Sequence, residues 1–144
     1  MPTLQTNTTL SEIAERLSAL DDFVICGHIN PDGDCLGSQL ALCHALRAMG
    51  KTAHCVLAKD DPIEANLMFL PGVDEIKVAS EYQGPVSVFI AVDVPTVERI
   101  GLAAVLQAKA SVRFTIDHHA TEGAMSEYNY VDPESPSASM LVWE

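Results

Sequence analysis

His28-Ile29-Asn30-Pro31-Asp32-Gly33-Asp34-Cys35-Leu36-Gly37-Ser38 lies between an apolar run, Phe23-Val24-Ile25-Cys26-Gly27, and a segment from Gln39 to Met49. The run reads as a short buried strand and the segment as a helix. A histidine and two aspartates therefore fall on a strand-to-helix turn. In an open α/β sheet the carboxyl ends of strands are where ligands bind. Pro31 locks φ and Gly33 permits φ > 0, so the two are expected to shape the turn.

The chemistry of this turn is that of a metal site. Imidazole and carboxylate side by side suit Mn²⁺, Zn²⁺ or Fe²⁺, whereas Mg²⁺ prefers carboxylate and water. Asp32 and Asp34 are two residues apart, and two carboxylates this close repel unless a cation lies between them. Ordinary local roles compete with this reading: Asp32 as a turn residue and Asp34 as a helix N-cap. Cys35 adjoins the turn as either a buried thiol, the commoner fate of a free cysteine, or a thiolate ligand. Cys26, Cys43 and Cys55 show no CxxC spacing and read as reduced core residues.

The rest of the chain alternates helix and strand. Thr9 followed by Glu12 has the form of a capping box, and Leu10, Ile13, Leu17 and Leu20 recur at helical spacing up to about Asp21. The helix after the acidic turn carries Leu36, Leu40, Cys43, Leu46 and Met49 on one face, with Gly50 as its stop. His44 lies off that stripe and reads as a solvated side chain. Further strands are expected at Thr52 to Leu57, Ile76 to Val78, Val86 to Val92, Val112 to Ile116 and Tyr128 to Val131. His54 reads as an ordinary strand residue. Short helices are expected at Ile63 to Leu70, within Pro95 to Gln107, and from Ser135 onward. This order predicts an α/β, three-layer Rossmann-like domain with a mostly parallel sheet flanked by helices.

Composition narrows the function. The chain has 144 residues, 48% of them hydrophobic, enough for one domain with a core. It carries 8 basic residues against 20 acidic ones, a formal net charge of −12. That balance opposes a long duplex nucleic-acid footprint, which needs lysine and arginine on one face. It permits a short phosphorylated ligand whose charge a metal meets. Met1 to Thr9 has no basic cluster or apolar core of a secretory leader, and no apolar stretch is long enough to span a bilayer. A cytoplasmic protein without a membrane partner is expected, and a homodimer is compatible with the sequence.

Three strands each end in a candidate ligand: His28, then Asp93 after Val86 to Val92, then Asp117-His118-His119 after Val112 to Ile116. In a parallel sheet these ends share one edge, and their convergence says more than any one of them. Taken singly, Asp93 and Asp117 each also read as a helix N-cap.

Together the motif His28-x-Asn30-Pro31-Asp32-Gly33-Asp34-x-x-Gly37-Ser38, Asp93 followed by Arg99-x-Gly101, and the Asp117-His118-His119 triplet resemble the DHH phosphoesterase family. Its members include RecJ-like exonucleases, oligoribonucleases for very short RNAs, phosphatases for 3'-phosphoadenosine 5'-phosphate, and cyclic-dinucleotide phosphodiesterases. The resemblance implies two divalent metal ions, usually Mn²⁺. On it, His28 and Asp32 bind one ion, Asp34 and His118 the other, and Asp93 bridges. Asp117 orients His118, and His119 faces the scissile phosphate or adds a ligand. Ser38, in the first turn of the helix, and Arg99 are the candidate substrate contacts. Two cations roughly 3.5–4 Å apart can activate water and neutralise phosphoryl charge.

The implied activity is hydrolysis of a small nucleotide or short oligonucleotide, with the oligoribonuclease or 3'-phosphoadenosine 5'-phosphate phosphatase type favoured by the first motif. Pyrophosphate or polyphosphate hydrolysis and a non-catalytic nucleotide-binding module are the alternatives. The family's later aspartate is not matched, since Asp132 lies too near the triplet. Nor is its C-terminal substrate-binding domain, with a glycine-rich motif and basic patch. Residues 1–144 are therefore expected to be a DHH catalytic domain, incomplete at its C-terminal end and lacking that substrate-binding domain.

Overall fold

A computed structural model describes residues 6–120 and 124–144. The part of the leader reading that falls on residues 1–5 lies outside them. In chain order the elements are α1 (Leu10–Ser18), β1 (Phe23–Cys26), α2 (Gly33–Ala48), β2 (Ala53–Leu57), β3 (Lys77–Val78), β4 (Val88–Val92), α3 (Ala104–Lys109), β5 (Val112–Asp117), β6 (Tyr128–Val131) and α4 (Ala138–Trp143). The six strands form one sheet in the order β3-β2-β1-β4-β5-β6. Every pairing is parallel. The chain leaves β1 for β2 on one side and later returns to β4 on the other. The strand order therefore reverses between β1 and β4, where a crevice opens at the carboxyl edge.

Alternate strand residues divide between two cores, which makes the domain three layers. Phe23, Ile25, Ile90 and Phe114 pack against Ile13 and Leu17 of α1, Leu40 and Leu46 of α2, and Leu141 of α4. Val24, Cys26, Phe89 and Ala91 face the other way, onto Ile100, Ala103 and Leu106. Both faces of the central strands are buried, which is why β1 and β4 read as unbroken apolar runs. Phe23, Phe89 and Phe114 are fully buried, each contributing about 1.5–3 kcal/mol of hydrophobic stabilisation. Beside β6, Asn7 N donates to Asn129 O, and Val131 N donates to Thr6 Oγ1. These bonds cover an edge strand that would otherwise present unpaired amides.

Several local expectations change. α2 starts at Gly33, ahead of both Leu36, the first residue of its expected apolar stripe, and the Gln39 to Met49 segment, because Asp32 caps it: its Oδ1 accepts from Cys35 N at 2.9 Å. Gly33 is thus helical, and the left-handed residue of the turn is Asn30, at φ 53°. Asparagine reaches that region more easily than most residues because its side chain bonds locally. Met49 closes α2 on its exposed side. α1 ends at Ser18, short of Asp21. Thr9 caps α1 by accepting from Glu12 N, but the Glu12 carboxylate accepts from Thr8 Oγ1. Ile63 to Leu70 forms only a 3₁₀ turn at Ala65–Leu67, and Phe69 stays exposed. No helix among the described residues is long and apolar enough to cross a membrane.

Candidate metal centre

The centre is built around Asp93, the residue after β4. Its φ is 57°, a left-handed conformation uncommon outside glycine, and its amide donates to Ile116 O on the neighbouring strand. That bend turns the carboxylate into the crevice, where it is only 2% exposed. Asp93 Oδ2 lies 3.3 Å from His28 Nε2, and Oδ1 lies 3.0 Å from His118 Nε2. One carboxylate thus stands between histidines from β1 and β5. Asp93 is not a helix cap; Thr96 precedes the next 3₁₀ segment.

Both histidines are held by their other nitrogen. His28 Nδ1 lies 2.6 Å from Ile29 O, and His118 Nδ1 lies 3.3 Å from Ser135 O. A proton on each Nδ1 donates to these carbonyls and leaves Nε2 facing Asp93, the usual second-sphere arrangement of a metal-bound histidine. Asp93 Oδ1 is buried without a hydrogen-bond donor among the described residues. Two atoms each about 2.1 Å from a shared ion, at right angles, lie about 3.0 Å apart. The donor set and its spacing therefore fit a divalent cation.

The remaining candidates fall in different places. His119 Nδ1 lies 2.6 Å from Asp117 Oδ1, so Asp117 positions His119. His118, which Asp117 was expected to orient, is held by Ser135 instead, because residues 117 and 119 share a side as the strand ends. Burial pushes the Asp117 carboxyl up, and the His119 contact only partly offsets this. Asp32 sits at the rim, with Oδ1 3.9 Å from His28 Nε2 and its side chain mostly exposed. Asp34 Oδ2 lies 3.5 Å from His118 Nε2. Its two oxygens also accept from Ala138 N and Ser139 N at the start of α4. Burial would raise the Asp34 carboxyl, but those amides and His118 outweigh it and hold it low.

Cys35 enters the centre more fully than its sequence context suggested. Its buried sulfur groups with His28 and Asp93, all three ligand atoms lying within 4.8 Å of one another. Gly27 makes room for it, since a Cβ there would fall 2.0 Å from Cys35 Sγ. Ser38 is buried on α2, its hydroxyl without a donor or acceptor among the described residues. Arg99 is exposed, and its carbonyl accepts from Ile29 N at 2.8 Å. Cys26, Cys43 and Cys55 are buried free thiols. His44 is exposed and bonds to Pro71 O.

The charges around His28 predict its pH response. The Asp93 carboxylate, helped by the Cys35 sulfur, pushes His28 up to about 11. A raised histidine favours the folded state below its ordinary pKa of about 6.5, and that contribution fades as pH rises through the folded value. At neutral pH a cation therefore has to displace the His28 proton. Calorimetry in buffers of different ionisation enthalpy should show about one proton released at pH 7 as the ion held by His28 binds, and its affinity should fall as pH is lowered. Release of no proton would remove His28 from the ligand set.

A family model described as the DHH family, N-terminal domain, matches residues 22–144. The bifunctional oligoribonuclease and PAP phosphatase NrnA of Thermus thermophilus is 33% identical over 131 residues, covering 90% of this chain and 38% of that protein. The protein of the same description from Bacillus subtilis is 28% identical over 134 residues, covering 93% of this chain and 41% of its own length. The chain thus spans about two fifths of the curated relatives it matches. The crystal structure of an exopolyphosphatase-related protein from Bacteroides fragilis superposes with a TM-score of 0.82 at 26% identity, covering 92% of this chain and 41% of that one. Exonuclease RecJ bound to manganese shares the fold, with a TM-score of 0.55 at 17% identity, covering 97% of this chain and 37% of that one.

Proposed function

The chain belongs to the DHH family, and on that premise we propose that it forms the catalytic unit of a metal-dependent phosphoesterase acting on small nucleotides or short oligonucleotides. The observation that carries the reading is the buried Asp93 carboxylate, set between His28 Nε2 and His118 Nε2. The names of the curated relatives favour oligoribonuclease and PAP phosphatase activity.

In this proposal His28, Asp32 and Asp93 hold one Mn²⁺, and Asp34, Asp93 and His118 hold the second. When bound, the two ions supply charge neutralisation at the phosphoryl oxygens and activation of water. The chain's own residues do the rest. Ile29 O and Ser135 O fix the two imidazole planes. Asp117 holds His119 through Nδ1, and in this reading His119 meets the scissile phosphate. The helix dipole of α2 adds a favourable field for the substrate anion. Arg99, exposed and joined through its carbonyl to Ile29 N, and Ser38, in the early turns of α2, are the candidate substrate contacts in this reading.

The net charge of −12 leaves few cations to hold an anionic substrate. In the proposal a downstream aspartate and a basic substrate-binding unit, which the family resemblance implies, complete the enzyme. The test compares this chain with the longest natural reading frame, in Mn²⁺, on dinucleotides, 3'-phosphoadenosine 5'-phosphate and polyphosphate. The longer form is expected to hydrolyse the nucleotides and this chain to do so slowly or not at all. Equal rates would refute the division of labour. Preference for polyphosphate would favour the reading suggested by the exopolyphosphatase-related structure. No hydrolysis by either form would overturn the phosphoesterase reading.

A further inference from the structure

A cavity of about 170 Å³ opens beside the metal turn. Asn30 and Pro31 of that turn line it, together with Leu57 and Ala58 at the end of β2 and Pro62 and Ile63 of the loop that follows. Because β2 runs parallel to β1, its end lies on the same carboxyl edge as His28. Consecutive Cα atoms are about 3.8 Å apart, so Asn30 lies within about 7.6 Å of His28. The cavity therefore adjoins the turn that carries His28, whose Nε2 lies 3.3 Å from Asp93 Oδ2.

We infer that this cavity is a nucleobase subsite, a reading that rests on the proposed phosphoesterase activity and names the part of the substrate it recognises. Size supports a single ring system: whole drug-sized ligands take pockets of about 300–1,000 Å³, and this one holds less than that. Shape and chemistry agree. Pro31, Pro62 and Ile63 present flat or branched apolar faces, and flipped-out bases are commonly held between apolar side chains. The Asn30 amide has donors and an acceptor to match a base edge.

The polar rim argues against a phosphate as occupant. Asp61 and Glu64 line the cavity with negative charge, and Lys59, its cation, is already paired with Asp61 at 3.0 Å. Carboxylates accept hydrogen bonds only, so they suit the exocyclic amino group of adenine, cytosine or guanine. Asn30 is also one of three non-glycine residues with positive φ among the described residues. Such conformations cluster at ligand-binding positions.

The test is binding without catalysis. Isotope-labelled, metal-free chain is titrated with adenosine and with cytidine, which have a base but no phosphate, and with ribose 5-phosphate, which has the reverse. The nucleosides should shift the amide resonances of Asn30, Leu57, Ala58 and Ile63, and ribose 5-phosphate should leave them in place. Asn30→Gly keeps the backbone conformation and deletes the amide, while Ile63→Trp fills the cavity. Each should weaken nucleoside binding at least tenfold, about 1.4 kcal/mol. Shifts scattered elsewhere, no shifts at all, or equal shifts from ribose 5-phosphate would overturn the subsite. Hydrolysis with no nucleoside binding here would remove the subsite and keep the enzyme. Nucleoside binding with no hydrolysis would do the opposite.

Discussion

Asp93→Asn is expected to lower turnover of the extended protein by about a thousand-fold while the fold stays intact. A divalent ion stabilises phosphoryl charge by several kcal/mol, and each 1.36 kcal/mol is worth about tenfold in rate. The amide removes the charge placed between His28 Nε2 and His118 Nε2. Asparagine is the right substitute because Asp93 sits at φ 57°, which asparagine tolerates and alanine does not. A lost fold would therefore not be the trivial cause. The wild type should also gain thermal stability with Mn²⁺, as any ligand selective for the native state confers, and the variant should gain much less. Near-normal turnover with an unchanged Mn²⁺ response would exclude Asp93 as the shared ligand.

That Asp93 was legible from sequence follows from the sheet. An apolar β-branched run ending in an acid, in a chain that alternates strand and helix, places that acid on the ligand-binding edge. The same logic placed His28 and His118. It did not reveal what holds them, because Ile29 O and Ser135 O are main-chain groups common to every sequence. Nor did it show that Asp34 bonds to amides 104 and 105 residues away. The start of α2 at Gly33 was hidden because Gly33, Asp34 and Gly37 are poor helix formers, and the Asp32 cap overrides them. Ile63 to Leu70 misled in the other direction: eight residues are too few to nucleate a helix without a packed face. Pairing of Asp117 with His119 follows from β5 extending through Asp117, one residue past its expected end.

Gly101→Ala is expected to destabilise the domain severely, although residue 101 carries no chemistry. Gly101 has φ 51° and ψ −121°, a region nearly closed to residues with a side chain. Holding alanine there costs about 1–3 kcal/mol. Its Cβ would also fall 2.5 Å from Ala58 O, a main-chain atom that cannot swing aside. Overpacking of this kind costs about 1–3 kcal/mol more. Ala58 O cannot retreat cheaply, because it accepts from Leu102 N at 2.8 Å, and Arg99 O in turn accepts from Ile29 N. Residues 99–102 thus tie the end of β2 to the segment that carries His28. The sum is a large share of the roughly 5–15 kcal/mol by which domains of this size are stable. Gly37→Ala is the internal control: it lies inside α2 with no atom within 4 Å of the added Cβ, so it should stabilise by about 0.5–1 kcal/mol. Urea unfolding of both variants measures the contrast. A cost below about 1 kcal/mol for Gly101→Ala would mean that the 99–102 segment relaxes freely. The Asp93-to-Gly101 motif would then owe its glycine to something other than the tie between β1 and β2.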